Sequence, residues 1–344
     1  MKKRLLTCIL VAVLLLTACS TAPTYPKMEM VFTVPGSPTP QYYNFVADEW
    51  DFGHYTPLTA EWTEFLNATY SAQVEFMNET YGADWAYEPV EAYSVDMSES
   101  TIGFDINGVF DPNTNQVYLN KDMLRLNPED ISPDQLGHIV HEGFHYLVYI
   151  NCGTLVFGLS KGKAVLGRVF SESMTNLASI KWLNHMGYTD AAMSYMSNGY
   201  ATGTALCQML ELACPDLLSA YAKADFKEIN KHFNSLCSQH IQSKDTGDMF
   251  ADWLYSFDLL YDAEHRFKST GNKMDLQMSM YYFLQNVEIL AAITQDSNSA
   301  EFLQYMVTND QAYTGGLYTE FPDFIDYFGT LFYTEPEVTP ATAG

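Results

Sequence analysis

Ser132-Pro133-Asp134-Gln135-Leu136-Gly137-His138-Ile139-Val140-His141-Glu142-Gly143-Phe144-His145-Tyr146-Leu147-Val148-Tyr149 carries more structural information than any other run of this chain. Ser132 is a favoured helix N-cap, Pro133 suits a first turn where its missing N–H costs nothing, and Gln135 stands where a capping box closes. These signals predict a helix over Pro133 to Tyr149. At about 100° per residue, Leu136, Val140, Gly143, Phe144 and Leu147 share one face, while Ile139, Tyr146, Val148 and Ile150 cover both flanks. The one polar stripe is His138, His141, Glu142 and His145. A helix that is apolar nearly all round is buried, so two imidazoles and a carboxylate on that stripe need partners inside the protein.

A metal ion would be such a partner. His141 and His145 are four positions apart, so their rings project one turn apart from the same face and can grip a single ion. Glu142 projects beside them, too short and wrongly angled to ligate, and is placed to hold the water that the metal activates. The run His141-Glu142-Gly143-Phe144-His145 matches H-E-x-x-H, in which a metal acidifies water and the glutamate takes its proton. A third ligand is expected from another helix, and Glu172 is the candidate. Over a predicted helix from Val165 to Met186, Val165, Val169, Glu172, Asn176 and Leu183 share a face, so Glu172 emerges from a mainly apolar stripe and must also be paired. Gly153, Gly158, Gly162 and Gly167 provide a loop able to reverse the chain between the two helices.

This arrangement, H-E-x-x-H on one helix and Glu172 on the next, resembles the gluzincins, the thermolysin-like branch of zinc metallopeptidases, over roughly residues 103 to 214. The resemblance implies a Zn2+ ion held by His141, His145 and Glu172, with Glu142 as general base acting on a peptide or protein substrate. It also implies a sheet edge beside the substrate, just before the active-site helix. Family members often carry an acidic residue four positions after the third ligand to orient a ligand histidine; Asn176 stands there, with an amide oxygen that can accept an imidazole N–H. For the Tyr or His that stabilises the oxyanion, Tyr200 at a predicted helix start is the first candidate, with His185, Tyr188 and His240 behind it. His138 lies outside the motif and reads as a neighbour of the site.

Outward from this centre, Gly103 to Phe110 and Gln116 to Asn120 flank Asp111-Pro112-Asn113-Thr114-Asn115 and read as a β-hairpin. Helical spacing is expected in Glu61 to Tyr81, Ala201 to Ala213, Asp216 to Ser238, Met249 to Phe267, Met274 to Thr294 and Ala300 to Met306. The expected fold is α+β and mainly helical: a small antiparallel sheet packed on the helix with the polar stripe, followed by a helical lobe, with a ligand cleft between the two. Residues 41–130 form the N-terminal α/β part and 131–334 the helical lobe, together one catalytic unit. With 344 residues, 47% of them hydrophobic, the chain can bury a large core.

The N-terminus reads as an address. Met1, Lys2, Lys3 and Arg4 precede a short apolar run from Leu5 to Leu16, and Leu16-Thr17-Ala18-Cys19 looks like a bacterial lipobox. Residues 1–18 are therefore expected as a lipoprotein signal and 19–40, rich in Pro, Thr and Ser, as a tether. The lipid on Cys19 would be the only contact with the membrane, at its extracytoplasmic face, and residues 335–344 read as a disordered tail. A formal charge of −25 repels phosphate backbones and excludes nucleic acid as a partner. Cys152, Cys207, Cys214 and Cys237 match no zinc-ribbon spacing. Cys207 and Cys214 would lie about 10 Å apart along one helix, too far to bond; Cys214 with Cys237, or free buried thiols throughout, both fit. Two rival functions fit as well: an anchored peptide- or ligand-binding lipoprotein with a non-catalytic metal, or one without metal, which leaves the buried His/Glu stripe unexplained.

Overall fold

The computed structural model describes residues 53–97, 107–112, 114–153, 168–196, 200–241, 248–314 and 322–333. The expected signal, lipidated Cys19, tether and tail lie outside these residues, as do Gly158, Gly162, Gly167 and the start of the first hairpin strand. Eleven α-helices and a four-stranded sheet are described, which is the mainly helical α+β class expected.

Helix α1, Ala60–Tyr81, starts on a Thr59 cap and ends on Gly82 in the left-handed region. It buries Trp62, Leu66, Tyr70, Val74 and Met77 on one stripe. Strands β1 (Tyr55–Pro57), β2 (Glu91–Val95), β3 (Gly108–Asp111) and β4 (Gln116–Asn120) follow the spatial order β1-β2-β4-β3. The hairpin is present, β3 antiparallel to β4 with Phe110 opposite Val117. Its turn closes with Asn115 at φ 58°, a conformation Asn tolerates better than most residues. The sheet is mixed, however, and corrects the expectation of a purely antiparallel one: β2 pairs parallel to β4. The chain crosses from β2 to β3 before turning back, which leaves β4 in the middle and β3 on the edge.

Helix α2, Pro133–Cys152, has the reciprocal capping box: Gln135 N–H donates to Ser132 Oγ at 3.3 Å, and Ser132 N–H to Gln135 Oε1 at 2.9 Å. It runs three residues beyond Tyr149 and stops at Gly153, φ 70°. Helix α3, Arg168–His185, is buried along its length, with Met174, Leu177 and Ile180 beside Ser173, Thr175 and Ser179. The hydroxyls of Thr175 and Ser179 are satisfied by carbonyls four residues back, at 2.9 and 2.8 Å, whereas Ser173 Oγ is buried with no hydrogen-bond partner among the described residues.

Helices α4 (Thr189–Met196), α5 (Ala201–Ala213), α6 (Leu217–Ala222), α7 (Lys227–His240), α8 (Met249–Thr270), α9 (Lys273–Thr294), α10 (Ser297–Thr314) and α11 (Pro322–Phe332) complete the chain. The helix expected over Asp216 to Ser238 is two, separated where Ala224 takes φ 47° and Asp225 Oδ1 accepts from Lys227 N–H at 3.1 Å. One cluster of buried side chains runs from Trp62 to Phe328 and joins the sheet, α1 and the helical part. Among the described residues no helix is long and apolar enough to cross a membrane.

Candidate metal centre

Helix α2 lies under the sheet and against α1, α3 and α4, so its polar stripe opens inward. His141, Glu142 and His145 are 5, 7 and 6% exposed, and Glu172, delivered by α3, is 8% exposed. Nε2 of His141 lies 2.9 Å from Nε2 of His145, and each nitrogen lies 3.1 Å from Oε2 of Glu172. Among the described residues these three form a group whose ligand atoms converge closely enough for one metal ion.

Hydrogen bonding alone cannot satisfy that triangle. A ring nitrogen carries at most one hydrogen and an ionised carboxylate carries none. If both Nε2 atoms are protonated, two N–H groups oppose each other at 2.9 Å; if one is, the other's lone pair faces the Glu172 oxygen at 3.1 Å. A cation accepts all three lone pairs at once. Bonds of about 2.0–2.2 Å to a tetrahedral ion would set ligand atoms about 3.3–3.5 Å apart, a few tenths of an ångström from the spacing present.

Electrostatics separates the two glutamates. Burial alone would raise the Glu172 carboxyl, but the charge of His145, hydrogen bonds from both imidazoles and the charge of His141 together hold it well below the usual carboxylate range. Burial pushes Glu142 up to about 7; His141 opposes the rise, Glu172 adds to it and a backbone hydrogen bond opposes it.

That hydrogen bond ties the site to the sheet: Phe110 N–H donates to Glu142 Oε2 at 2.7 Å. Asn107 C=O accepts from Asn120 N–H at 2.9 Å, which sets the phase of the β3–β4 ladder and turns the N–H and C=O groups of Gly108 and Phe110 away from β4. The free side of β3 therefore faces Glu142. On its other flank α2 meets α1 at Gly143, where an added Cβ would overlap Tyr70 and Gln73; Gln73 Nε2 donates to Val140 C=O at 2.8 Å.

The remaining candidates make the following contacts. Tyr200 stacks on Tyr261 at 5.4 Å where α5 meets α8. His185 packs on Phe76, Tyr188 leans on Trp182, and His240 Nδ1 meets Gln295. Asn176 donates its amide to Thr204 Oγ1 at 3.3 Å, and His141 Nδ1 is buried with no hydrogen-bond partner among the described residues, so Asn176 does not orient that ring. His138 lies 3.6 Å from Asp134 and stands outside the triangle. The four described cysteines are free, Cys207, Cys214 and Cys237 buried. A cleft of about 420 Å³ opens between α1, the start of α2 and the start of α4, against Leu136 on the side of α2 away from the stripe; it is not the expected cleft between sheet and helices.

Sequence reading missed Tyr195, whose ring lies 5.8 Å from that of His141. Ala191, Ala192, Tyr195 and Met196 form an apolar stripe at helical spacing, which signals a buried helix face but not what the Tyr195 ring touches. Comparison with protein-family models, with curated proteins and with solved structures gives no match.

Proposed function

We propose that this protein is a zinc-dependent peptidase acting outside the cell from a lipid anchor at Cys19. The observation that carries the reading is the convergence of His141, His145 and Glu172 within 3.1 Å of one another, with the Glu142 carboxylate alongside and outside the triangle. Two imidazoles and one carboxylate are the donor set of catalytic zinc, which keeps a fourth position for water or substrate. A zinc ion there would polarise a peptide carbonyl and acidify the attacking water.

The protein's own groups supply the rest. Glu142 takes a proton from the attacking water and returns it to the leaving amine. Phe110 N–H fixes one oxygen of that carboxylate and leaves the other for the proton. With the Phe110 N–H held by Glu142, the outward N–H and C=O of Gly108 and the C=O of Phe110 remain for main-chain hydrogen bonds to an extended peptide, which would not demand a particular sequence.

Elemental mass spectrometry of the chain from residue 41 onward, beside a His141→Ala/His145→Ala double variant, tests the reading. About one zinc per parent chain and none in the variant is expected. No metal in either, after zinc is added to folded protein, would replace this reading with a metal-free binding lipoprotein.

A further inference from the structure

Metal-ligating imidazoles ordinarily donate their second ring N–H to a carboxylate, carbonyl or water, which fixes both tautomer and ring orientation. His141 lacks such an acceptor among the described residues: its Nδ1 is buried and unpartnered. Two aromatic rings pack against it instead. His145 stands at a centroid distance of 4.6 Å and 81°, and Tyr195 at 5.8 Å and 59°.

Tyr195 belongs to α4, which packs on both α2 and α3, the two helices that supply the ligands. It is 2% exposed, and its ring meets His138 edge-on at 5.3 Å and 89°. The ring reaches this depth because residue 137 is glycine. A Cβ at Gly137 would stand 2.5 Å from Tyr195 Cδ2 and 2.8 Å from Cγ, far inside van der Waals contact. Glycine is less favourable than alanine in a helix interior, so the close approach offsets a local loss.

Resting on the metal reading above, we propose that Tyr195 is a positioning residue for His141. Seated over Gly137, its ring holds the imidazole with Nε2 turned toward Glu172 and His145, in place of an acceptor at Nδ1. The hold comes from the ring and its volume, so the conservative variant Tyr195→Phe keeps it and Tyr195→Ala releases it. Gly137→Ala displaces the ring without removing it and acts in the same direction.

The test is zinc affinity by chelator competition on the folded chain, with the visible spectrum of the cobalt-substituted protein as a reporter of ligand geometry. Loss of an outer partner of a ligating histidine costs about 10- to 100-fold in metal affinity, and that loss is expected for Tyr195→Ala and Gly137→Ala, with an altered cobalt spectrum. Tyr195→Phe is expected to stay within about threefold of the parent with its spectrum unchanged. If Tyr195→Ala does not fold, Tyr195→Leu, which retains bulk but not a flat ring, carries the same expectation in weaker form. Parent-like affinity in Tyr195→Ala or Tyr195→Leu overturns this inference and leaves the metal site standing. Equal losses in Tyr195→Phe and Tyr195→Ala overturn it too, by assigning the effect to the hydroxyl. A parent that binds neither ion overturns the metal reading itself.

Discussion

Glu142 and Glu172 occupy one site and are driven in opposite directions. Glu172 meets two imidazole nitrogens and stays anionic, which suits a ligand; Glu142 is buried, beside the Glu172 charge, with the His141 charge and one backbone N–H opposing its rise, which suits a group that must gain and lose a proton. Glu142→Gln keeps the size of the side chain and an oxygen for Phe110 N–H, yet cannot accept a proton. On the proposed zinc-peptidase reading it is expected to bind zinc as the parent does while peptide hydrolysis falls by about 10²- to 10⁴-fold, the usual share of a general base; a variant that cleaves as fast as the parent would remove Glu142 from the proposed mechanism. Both glutamates were legible in the sequence, Glu142 from the H-E-x-x-H run on a helix otherwise apolar, Glu172 because a carboxylate on a mainly apolar stripe demands a partner. Tyr195 was not, because an aromatic residue on an apolar stripe demands none, and only the packing of α4 on α2 reveals what its ring touches.

The elements divide in the same way. Helix α2 could be read from Ser132 and Gln135, and α5 from its apolar spacing, since local capping and periodicity decide both. The split between α6 and α7 could not, because each half keeps helical spacing and the break depends on a positive φ at Ala224, a residue with no turn preference. Strand β2 was missed because Glu91-Ala92-Tyr93-Ser94-Val95 is short, and its pairing with β4 depends on contacts remote in sequence. The contact between α1 and α2 gives a prediction at this scale. Gly143→Ala would gain about 1 kcal/mol of helix propensity but drives a methyl group into the fully buried Tyr70 ring and Gln73. Overpacking of this kind costs about 1–3 kcal/mol, and loosening the Gln73 hydrogen bond to Val140 adds to it. The net expectation is a lower melting temperature by calorimetry; an unchanged or raised one would mean that α1 yields at little cost and does not brace α2.

Over the whole molecule the folding free energy carries a charge problem, since a formal charge of −25 makes the compact state self-repelling as pH rises. One contribution can be isolated. Glu264 on α8 is 8% exposed and accepts from Thr202 Oγ1 at 3.1 Å; burial pushes its carboxyl up to about 7, with Lys268 and Thr202 opposing the rise. The folded state therefore holds this proton more tightly than the unfolded chain, where the group titrates near 4.5. Below that value both states are protonated and the group costs nothing. As pH climbs the unfolded chain ionises first and stability is lost, until the folded carboxyl also ionises near 7 and the loss levels off. At about 1.4 kcal/mol per pH unit the full penalty is about 3 kcal/mol. Glu264→Gln, which keeps an oxygen for Thr202 and has no proton to lose, is expected to match the parent in denaturant unfolding at pH 4 and to exceed it by about that amount at pH 8. Because the difference is taken between two chains with the same remaining carboxylates, Glu142 and Glu172 included, a stability gap that stays constant across this range would show that Glu264 ionises as freely in the fold as outside it.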